Sequence, residues 1–167
     1  MSNTLTYFTA LGYWDDIEVS DPSGTVNDLQ VQTFSAFITF HPRVSSDFVL
    51  YVAQLAVPGD PTPVDRGIAL APIRGRTTHG RLCTIDMADA EGVRLLAATP
   101  AIASALAAQG IDSLIWDVEF TGVNYGGVAH TMKNFGFTAP ASDTAVTITA
   151  SSLTRLAYSG PGSGDLR

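Results

Sequence analysis

The chain has 167 residues, of which 46% are hydrophobic and only 15% are charged. This length fits one domain with its own core, and the composition excludes disorder driven by charge excess. Nine basic residues against sixteen acidic ones give a net charge of −7. Because the cations form no cluster, we expect neither nucleic acid nor a membrane as a partner.

The small number of charged residues also bears on assembly. A free soluble domain usually carries about 25% charged residues, so we expect other protein to cover part of this surface. The N-terminus lacks the basic start and apolar run of a secretion signal. We therefore expect synthesis in a cytoplasm without export by a visible signal.

Residues 1–30 are interpreted as an N-terminal arm. Four aromatic residues, Tyr7, Phe8, Tyr13 and Trp14, crowd together without clear periodicity. Tyr and Trp dominate the binding energy of protein interfaces, so we predict that these four contact a neighbouring protein. Two alternatives stay open, namely that they form local core or a platform that stacks on a sugar.

Two strands are predicted next, from hydrophobic alternation and β-branched content. Residues 34–40 alternate with period two, which indicates a half-buried strand ended by Pro42. Residues 48–57 are nearly continuously apolar, and the Pro- and Gly-rich residues 58–63 are predicted to be a turn or loop.

A hairpin with a loop of medium length is predicted from residues 68–73 and 81–85, joined by residues 74–80. The second of these strands contains Cys83, the only cysteine of the chain. It cannot close an intramolecular disulfide, and we interpret it as a small buried residue rather than a nucleophile.

One short helix is predicted at residues 100–109. Thr99 is expected to cap it, Pro100 fits the first helical position, and Gly110 supplies the left-handed stop. The intervening residues are rich in alanine, the best helix former.

The clearest strand follows the helix, at residues 114–120. Trp116 shares one face with three other apolar residues and is predicted to be core, while Asp117 and Glu119 are expected to point to water. Residues 133–137 and 145–149 give two further short strands.

The fold class predicted from this pattern is mainly all-β, an antiparallel two-sheet β-sandwich with one short Ala-rich helix in a connection. A small barrel is the alternative architecture. The sandwich domain is placed at residues 31–158, and residues 159–167 are interpreted as a linker-like tail because they are rich in Gly and Ser.

Catalytic and cofactor-binding motifs are not recognised in the sequence. It contains no G-x-S-x-G nucleophile elbow and no phosphate-binding loop, so we predict no catalytic residues and no cofactor. Asp86, Asp89 and Glu91 are candidate metal ligands, although they lack the glycine and spacing of a calcium loop. The acidic cluster at residues 15–21 is interpreted as the polar flank of the arm.

Several short motifs resemble β-rich virion proteins of tailed phages that infect actinobacteria, usually labelled minor tail or tail-tip proteins. The residues that carry the resemblance lie between about Ala36 and Tyr158. They are Phe40-x-Pro42-Arg43, Ile68-Ala-Leu-Ala-Pro-Ile73 before Gly75, Gly80-Arg-Leu82, Trp116-Asp-Val118, Phe137-x-Ala-Pro140 and Leu153-x-x-Leu156. The N-terminal aromatic residues and the helix have no counterpart in this pattern.

The resemblance implies a structural or adsorption role in a virion and no catalysis. We therefore expect a non-enzymatic tail or tail-tip protein, made in the cytoplasm of a bacterial host, that forms a homo-oligomer or assembles with other virion proteins. The alternative is a carbohydrate-binding or adsorption module that recognises a glycan of the host surface. A cell-wall hydrolase is the third hypothesis, and it lacks a recognisable nucleophile or metal set.

Overall fold

The computed structural model describes residues 3–14, 16–19, 29–32, 34–86, 91–125 and 127–160. These ranges contain one helix, α1 (Pro100–Ala108). The strands, numbered in chain order, are β1 (Asn3–Thr4), β2 (Tyr7–Leu11), β3 (Asp16–Val19), β4 (Leu29–Gln32), β5 (Phe34–Pro42), β6 (Val49–Val57), β7 (Asp60–Ala69), β8 (Ile73–Thr78), β9 (Arg81–Thr84), β10 (Val93–Leu96), β11 (Ile115–Tyr125), β12 (Val128–Ala129), β13 (Phe135–Thr138), β14 (Val146–Thr147) and β15 (Leu156–Ala157).

The predicted all-β, sandwich-like fold is confirmed. A large sheet has the strand order β15-β13-β11-β5-β8-β9, and a small sheet has the order β10-β2-β14. The two layers meet where the Phe8 ring of β2 contacts the Phe137 ring of β13 edge-on, with centroids 6.0 Å apart. The indole N–H of Trp116 also crosses between them and donates to the carbonyl of Leu96 at 3.2 Å.

The core of the large sheet comes from strands whose period was visible in the sequence. In β5, Ile38 and Phe40 are buried, and in β11 Phe120 and Val118 are buried directly opposite them, with Trp116 buried opposite Pro42. The predicted strands at residues 34–40 and 114–120, and the core position of Trp116, are therefore confirmed. Burying a large apolar side chain contributes about 1.5–3 kcal/mol, so this alternation fixes which face of each strand points inward.

The helix is confirmed, with one correction at its start. Pro100 begins α1, and Gly110 follows it in the left-handed conformation at φ +85°. Thr99 occupies the cap position but makes no side-chain cap bond, and its buried Oγ1 has no partner. In the described part of the chain no helix is long and apolar enough to cross a membrane.

Two predicted loops are strands, and each has a physical reason. β7 begins at Asp60 and so contains Pro61 and Pro63; a proline is tolerated there because β7 lies at the edge of its sheet. β8 covers most of the predicted loop at residues 74–80, since the chain reverses in the short turn at His79 and Gly80, both with positive φ. The hairpin is therefore formed by β8 and β9.

The predicted N-terminal arm is corrected for the residues that form β2. This strand is the middle strand of the small sheet, and its Phe8 and Ala10 are fully buried. β3 and β4 pair with each other in a two-stranded antiparallel sheet of their own. Residues 1–2, 15 and 20–28 of the predicted arm, and 161–167 of the predicted tail, lie outside the described residues.

Candidate interaction surfaces

A third sheet has the order β1-β6-β7, and its two edges differ. β6 is the middle strand and pairs with β1 only at Leu55 and Ala56. On the side away from β7, residues 49–53 of β6 are covered by carboxamide groups instead. Gln109 accepts from the amide of Tyr51 at 3.0 Å and donates to the carbonyl of Val49 at 2.8 Å, and Asn3 donates to the carbonyl of Ala53 at 2.7 Å. These side chains act as a substitute strand, so this edge is closed to a further strand.

The opposite edge is β7, which pairs with β6 alone among the described strands. Every residue of β7 is exposed except Arg66 and Ile68, which are half-buried. Pro61 and Pro63 remove two donors near the tip of the hairpin, but residues 64–69 contain no proline. The part of β7 farthest from the tip therefore presents backbone groups that another strand can pair with.

An apolar groove of about 380 Å³ adjoins the base of β7. It is lined by Ile68 and Leu70, by Leu5 and Tyr7, and by Trp116. A strand that added to β7 would run beside this groove, so the edge and the groove form one surface suited to an extended, partly apolar segment.

A second surface, here called the edge patch, consists of Tyr7, Tyr13, Arg81, Glu91 and Arg94. The Arg94 guanidinium lies 5.4 Å from the Tyr7 ring centroid, and the Arg81 guanidinium 5.2 Å from that of Tyr13. The Tyr13 hydroxyl donates to Glu91, which also contacts Arg81 at 3.4 Å. The hydrogen bond to Glu91, then burial, raise the pKa of Tyr13 above 10.0.

The four aromatic residues predicted to form an interface separate into two groups. Tyr7 and Tyr13 are 38% and 39% exposed, so their contact with a neighbouring protein stays a prediction. Phe8 belongs to the core, which makes its assignment to an interface wrong. Trp14 is half-buried and stacks on Phe34, with ring centroids 5.3 Å apart. Its ring therefore packs against this chain's own core.

The candidate metal ligands are not brought together as a described site. Asp86 is exposed, and Asp89 lies outside the described residues. The Glu91 carboxylate is already engaged by Tyr13 and Arg81. In the part of the chain that the structure describes, no three His, Cys, Asp or Glu residues are close enough to hold a metal ion.

Asp117 and Glu119 do not point freely to water, contrary to the sequence prediction. Asp117 is fully buried and accepts from two nitrogens of Arg43, with Nε at 3.1 Å. Glu119 contacts His41 Nε2 at 2.8 Å. Burial, with these two carboxylates adding to it, raises the pKa of Tyr158 to about 12. The alternation predicts correctly that both acids lie on the outer face of β11. They are covered there by His41, which belongs to β5, and by Arg43, which follows it.

The outer face of the large sheet also carries a third surface, here called the arginine face, made of Phe37, Arg74 and Arg76. Phe37 is directly opposite Arg76 in the pairing of β5 with β8. The Arg74 guanidinium lies 5.4 Å from the centroid of the Phe37 ring, and Phe37 is 42% exposed. The alternation in residues 34–40 already put Phe37 on the outer side, which is the signal that could have found this surface.

No protein family model, curated protein or solved structure shows significant similarity to the chain. Its function is therefore inferred from its surfaces and from the resemblance of its sequence motifs.

Proposed function

We propose that the chain is a non-enzymatic structural component of a tailed-phage virion, a tail or tail-tip protein that assembles with copies of itself or with neighbouring virion proteins. The virion assignment is supported by the motif resemblance between Ala36 and Tyr158. The assembly role is supported by the surfaces of the fold.

The observation that carries the assembly role is the open edge of β7. A monomeric protein usually blocks its edge strands, because an open edge pairs with other chains. Here Gln109 and Asn3 block one edge of the sheet, whereas residues 64–69 of the other edge, all exposed except the half-buried Arg66 and Ile68, lie beside an apolar groove. This asymmetry is typical of an edge that receives a strand from a neighbour.

Exposed apolar side chains support the same role. Tyr51 on the β6–β7 hairpin is 66% exposed, and Val64 on the same hairpin is exposed as well. Scattered apolar residues are common on any surface, but these two lie on the sheet whose edge is open. Together with a chain that is only 15% charged, they favour a surface that is covered in the assembled particle.

Mass spectrometry of purified particles tests the virion role. Particles are purified by density gradient from cells infected with the phage whose genome encodes this chain. We expect peptides of the chain at a constant ratio to the known structural proteins across the gradient fractions. A non-structural phage protein serves as the contamination control, and absence of the chain from particles would refute the proposal.

A glycan-binding role is the second candidate, and the edge patch favours it. Exposed Tyr7 and Tyr13 each lie beside an arginine, and Glu91 adds an acceptor. Aromatic faces with polar groups beside them suit a sugar ring. Binding of host cell-wall polysaccharide by wild type and by Y7A/Y13A decides this point, because equal retention by the two proteins would eliminate the patch as a sugar site.

A further inference from the structure

The ladder between β6 and β7 fixes which backbone groups of β7 face outward. Gln109 accepts from the Tyr51 amide and donates to the Val49 carbonyl, so these groups of β6 point away from β7. Tyr51 is opposite Gly67, and Val49 is opposite Ala69. Hydrogen-bonded and non-hydrogen-bonded pairs alternate along an antiparallel ladder. The N–H and C=O groups of Gly67 and Ala69 therefore point away from β6.

The same alternation assigns the neighbouring residues of β7. Arg66 and Ile68 direct their backbone groups toward β6, whereas Asp65 directs them outward like Gly67 and Ala69. The three outward residues are all exposed, and none of them is a proline. Each therefore presents a donor and an acceptor to solvent at the open edge.

These three residues are spaced evenly about Gly67, so the set is complementary to itself. If a second β7 runs antiparallel with the two Gly67 residues opposite each other, Asp65 of each copy lies opposite Ala69 of the other. Every outward N–H of the three then meets a carbonyl. A shift of two residues toward the hairpin tip would pair Ala69 with Pro63, which has no N–H, and would oppose the two Arg66 side chains. The opposite shift would pair Asp65 with a position beyond the end of β7.

The side chains at this edge fit the same register. Gly67 has no side chain at the axis, and the Tyr51 ring lies beside it, because a Cβ at Gly67 would be 3.1 Å from Tyr51 Cε1. Tyr51 is 66% exposed, and the ring of each copy would cover the glycine pair. On the other face of the sheet, the exposed Val64 would lie opposite Leu70 of the second copy, which lines the apolar groove. The pairing would therefore cover apolar side chains on both faces of the joined sheet.

We infer that β7 of one copy pairs antiparallel with β7 of a second copy, with the two Gly67 residues opposite each other. This inference rests on the proposed assembly role and names a second copy of the chain as the occupant of the open edge. The contact is isologous, so it joins two copies and closes. It merges their two β1-β6-β7 sheets into one continuous sheet. Pro61 and Pro63 end the pairing before the hairpin tip.

A cysteine pair tests both the partner and the register. D65C and A69C are made as separate variants of the full chain and mixed one to one under mild oxidation. Opposed Cα atoms in a hydrogen-bonded antiparallel pair lie about 5.5 Å apart, which a disulfide can span. Residues 65 of the two copies would be offset by four positions, about 13 Å. We therefore expect a disulfide-linked dimer from the mixture but not from either variant alone, and wild type is the control for the buried Cys83.

A proline substitution measures how much the pairing contributes to association. A69P removes an outward N–H but no hydrogen bond to β6, because Ala69 and Val49 form a non-hydrogen-bonded pair. T62P is the control, since it adds a proline at the hairpin tip outside the paired residues and removes only the amide bond to Asp60. Dissociation constants of the full chains are measured by analytical ultracentrifugation at low and high salt, and circular dichroism checks folding.

We expect wild type and T62P to dimerise equally and A69P to associate at least about tenfold more weakly, because one hydrogen bond from each copy is lost. The affinity should change little with salt, since the paired backbone groups carry no net charge. If A69P does not fold, the disulfide test decides.

Three results would overturn the inference. The first is a wild type that stays monomeric at its highest soluble concentration, which would leave the edge to a strand of a different protein. The second is dimerisation of a folded A69P that equals wild type, or an equal loss in T62P. The third is absence of the mixed disulfide, or a disulfide formed equally by D65C alone, which would indicate a different pairing. None of these outcomes changes the particle mass spectrometry, so the virion role is judged separately.

Discussion

Replacing Arg43 by methionine should destabilise the protein strongly, because it leaves the buried Asp117 carboxylate without its cation. Both oxygens of Asp117 receive hydrogen bonds from Arg43, and the carboxylate has no exposed surface. Removing one partner of a buried ion pair costs about 3–5 kcal/mol. The Arg43 side chain is itself 28% exposed, so we expect a loss near the lower end, about 3 kcal/mol. For a domain of this size that corresponds to a fall in Tm of about 6–12 °C.

The assay is urea denaturation followed by tryptophan fluorescence, with far-UV circular dichroism as the second probe. D112N is the control, since Asp112 is an exposed acid on the loop before β11. The double variant R43M/D117L removes both charges, and because an apolar pair of similar volume often replaces a buried ion pair at little cost, it should recover most of the stability. Hydrogen exchange at β15 should rise in R43M, because Arg43 also donates to the carbonyl of Ala157.

Two results would refute this reasoning. A loss below about 1 kcal/mol in R43M would mean that the pair behaves like an exposed one. A double variant no more stable than R43M would mean that the loss comes from packing of the arginine stem rather than from the unpaired carboxylate.

Three further predictions concern pH and packing. Hydrogen bonds from Arg66 and from the Thr62 amide hold the pKa of Asp60 below its ordinary 3.8. The stabilisation from this carboxylate is therefore fully present above pH 3.8 and is lost as pH falls through the lower pKa of the folded state. D60N should reduce the loss of folding free energy at acid pH in denaturation curves, and an unchanged acid dependence would count against the ion pair. The raised pKa of Tyr158, about 12 against 10.0, means that stability falls as pH rises from 10.0 through about 12; Y158F should remove that alkaline loss in circular dichroism. A Cβ at Gly75 would lie 2.7 Å from a backbone oxygen of β9 and 2.8 Å from a valine methyl of β10, so G75A should cost about 1–3 kcal/mol in thermal denaturation.

The two long strands of the large sheet, β5 and β11, were predictable because apolar residues recur at every second position in them, whereas β8, in which burial does not alternate, was predicted to be a loop. Trp116 and Val118 are two residues apart, so the period of a β-strand predicts that they lie on the same face. The state of Asp117 was not visible, since its partner Arg43 lies 74 positions away. A single sequence gives the face of a side chain, but a non-local cation decides whether that side chain meets water.

The N-terminal aromatic residues also show that a single sequence does not reveal which distant residues a strand contacts. In β2, Phe8 and Ala10 point inward while Tyr7 is exposed, which is ordinary alternation over five residues. That strand is stabilised by pairing with β10, where Phe8 is opposite Leu95. Because this pairing joins distant parts of the chain, the sequence alone predicts an arm here and gives no sign of the contact between Trp14 and Phe34.

The net charge of −7 has a different meaning once the ion pairs are assigned. Arg43, Arg66 and Arg81 are neutralised within the fold, whereas the first 42 residues hold five acids and no Lys or Arg. The first 42 residues therefore carry −5 of the net charge, and the remaining residues, with eleven acids and nine bases, carry −2. A two-fold contact through the first 42 residues would oppose like charges near its axis, but a head-to-tail contact brings unlike surfaces together. The concentration of acids in one segment thus opposes a two-fold contact of that segment with itself and favours head-to-tail contacts for it, which build rings or filaments.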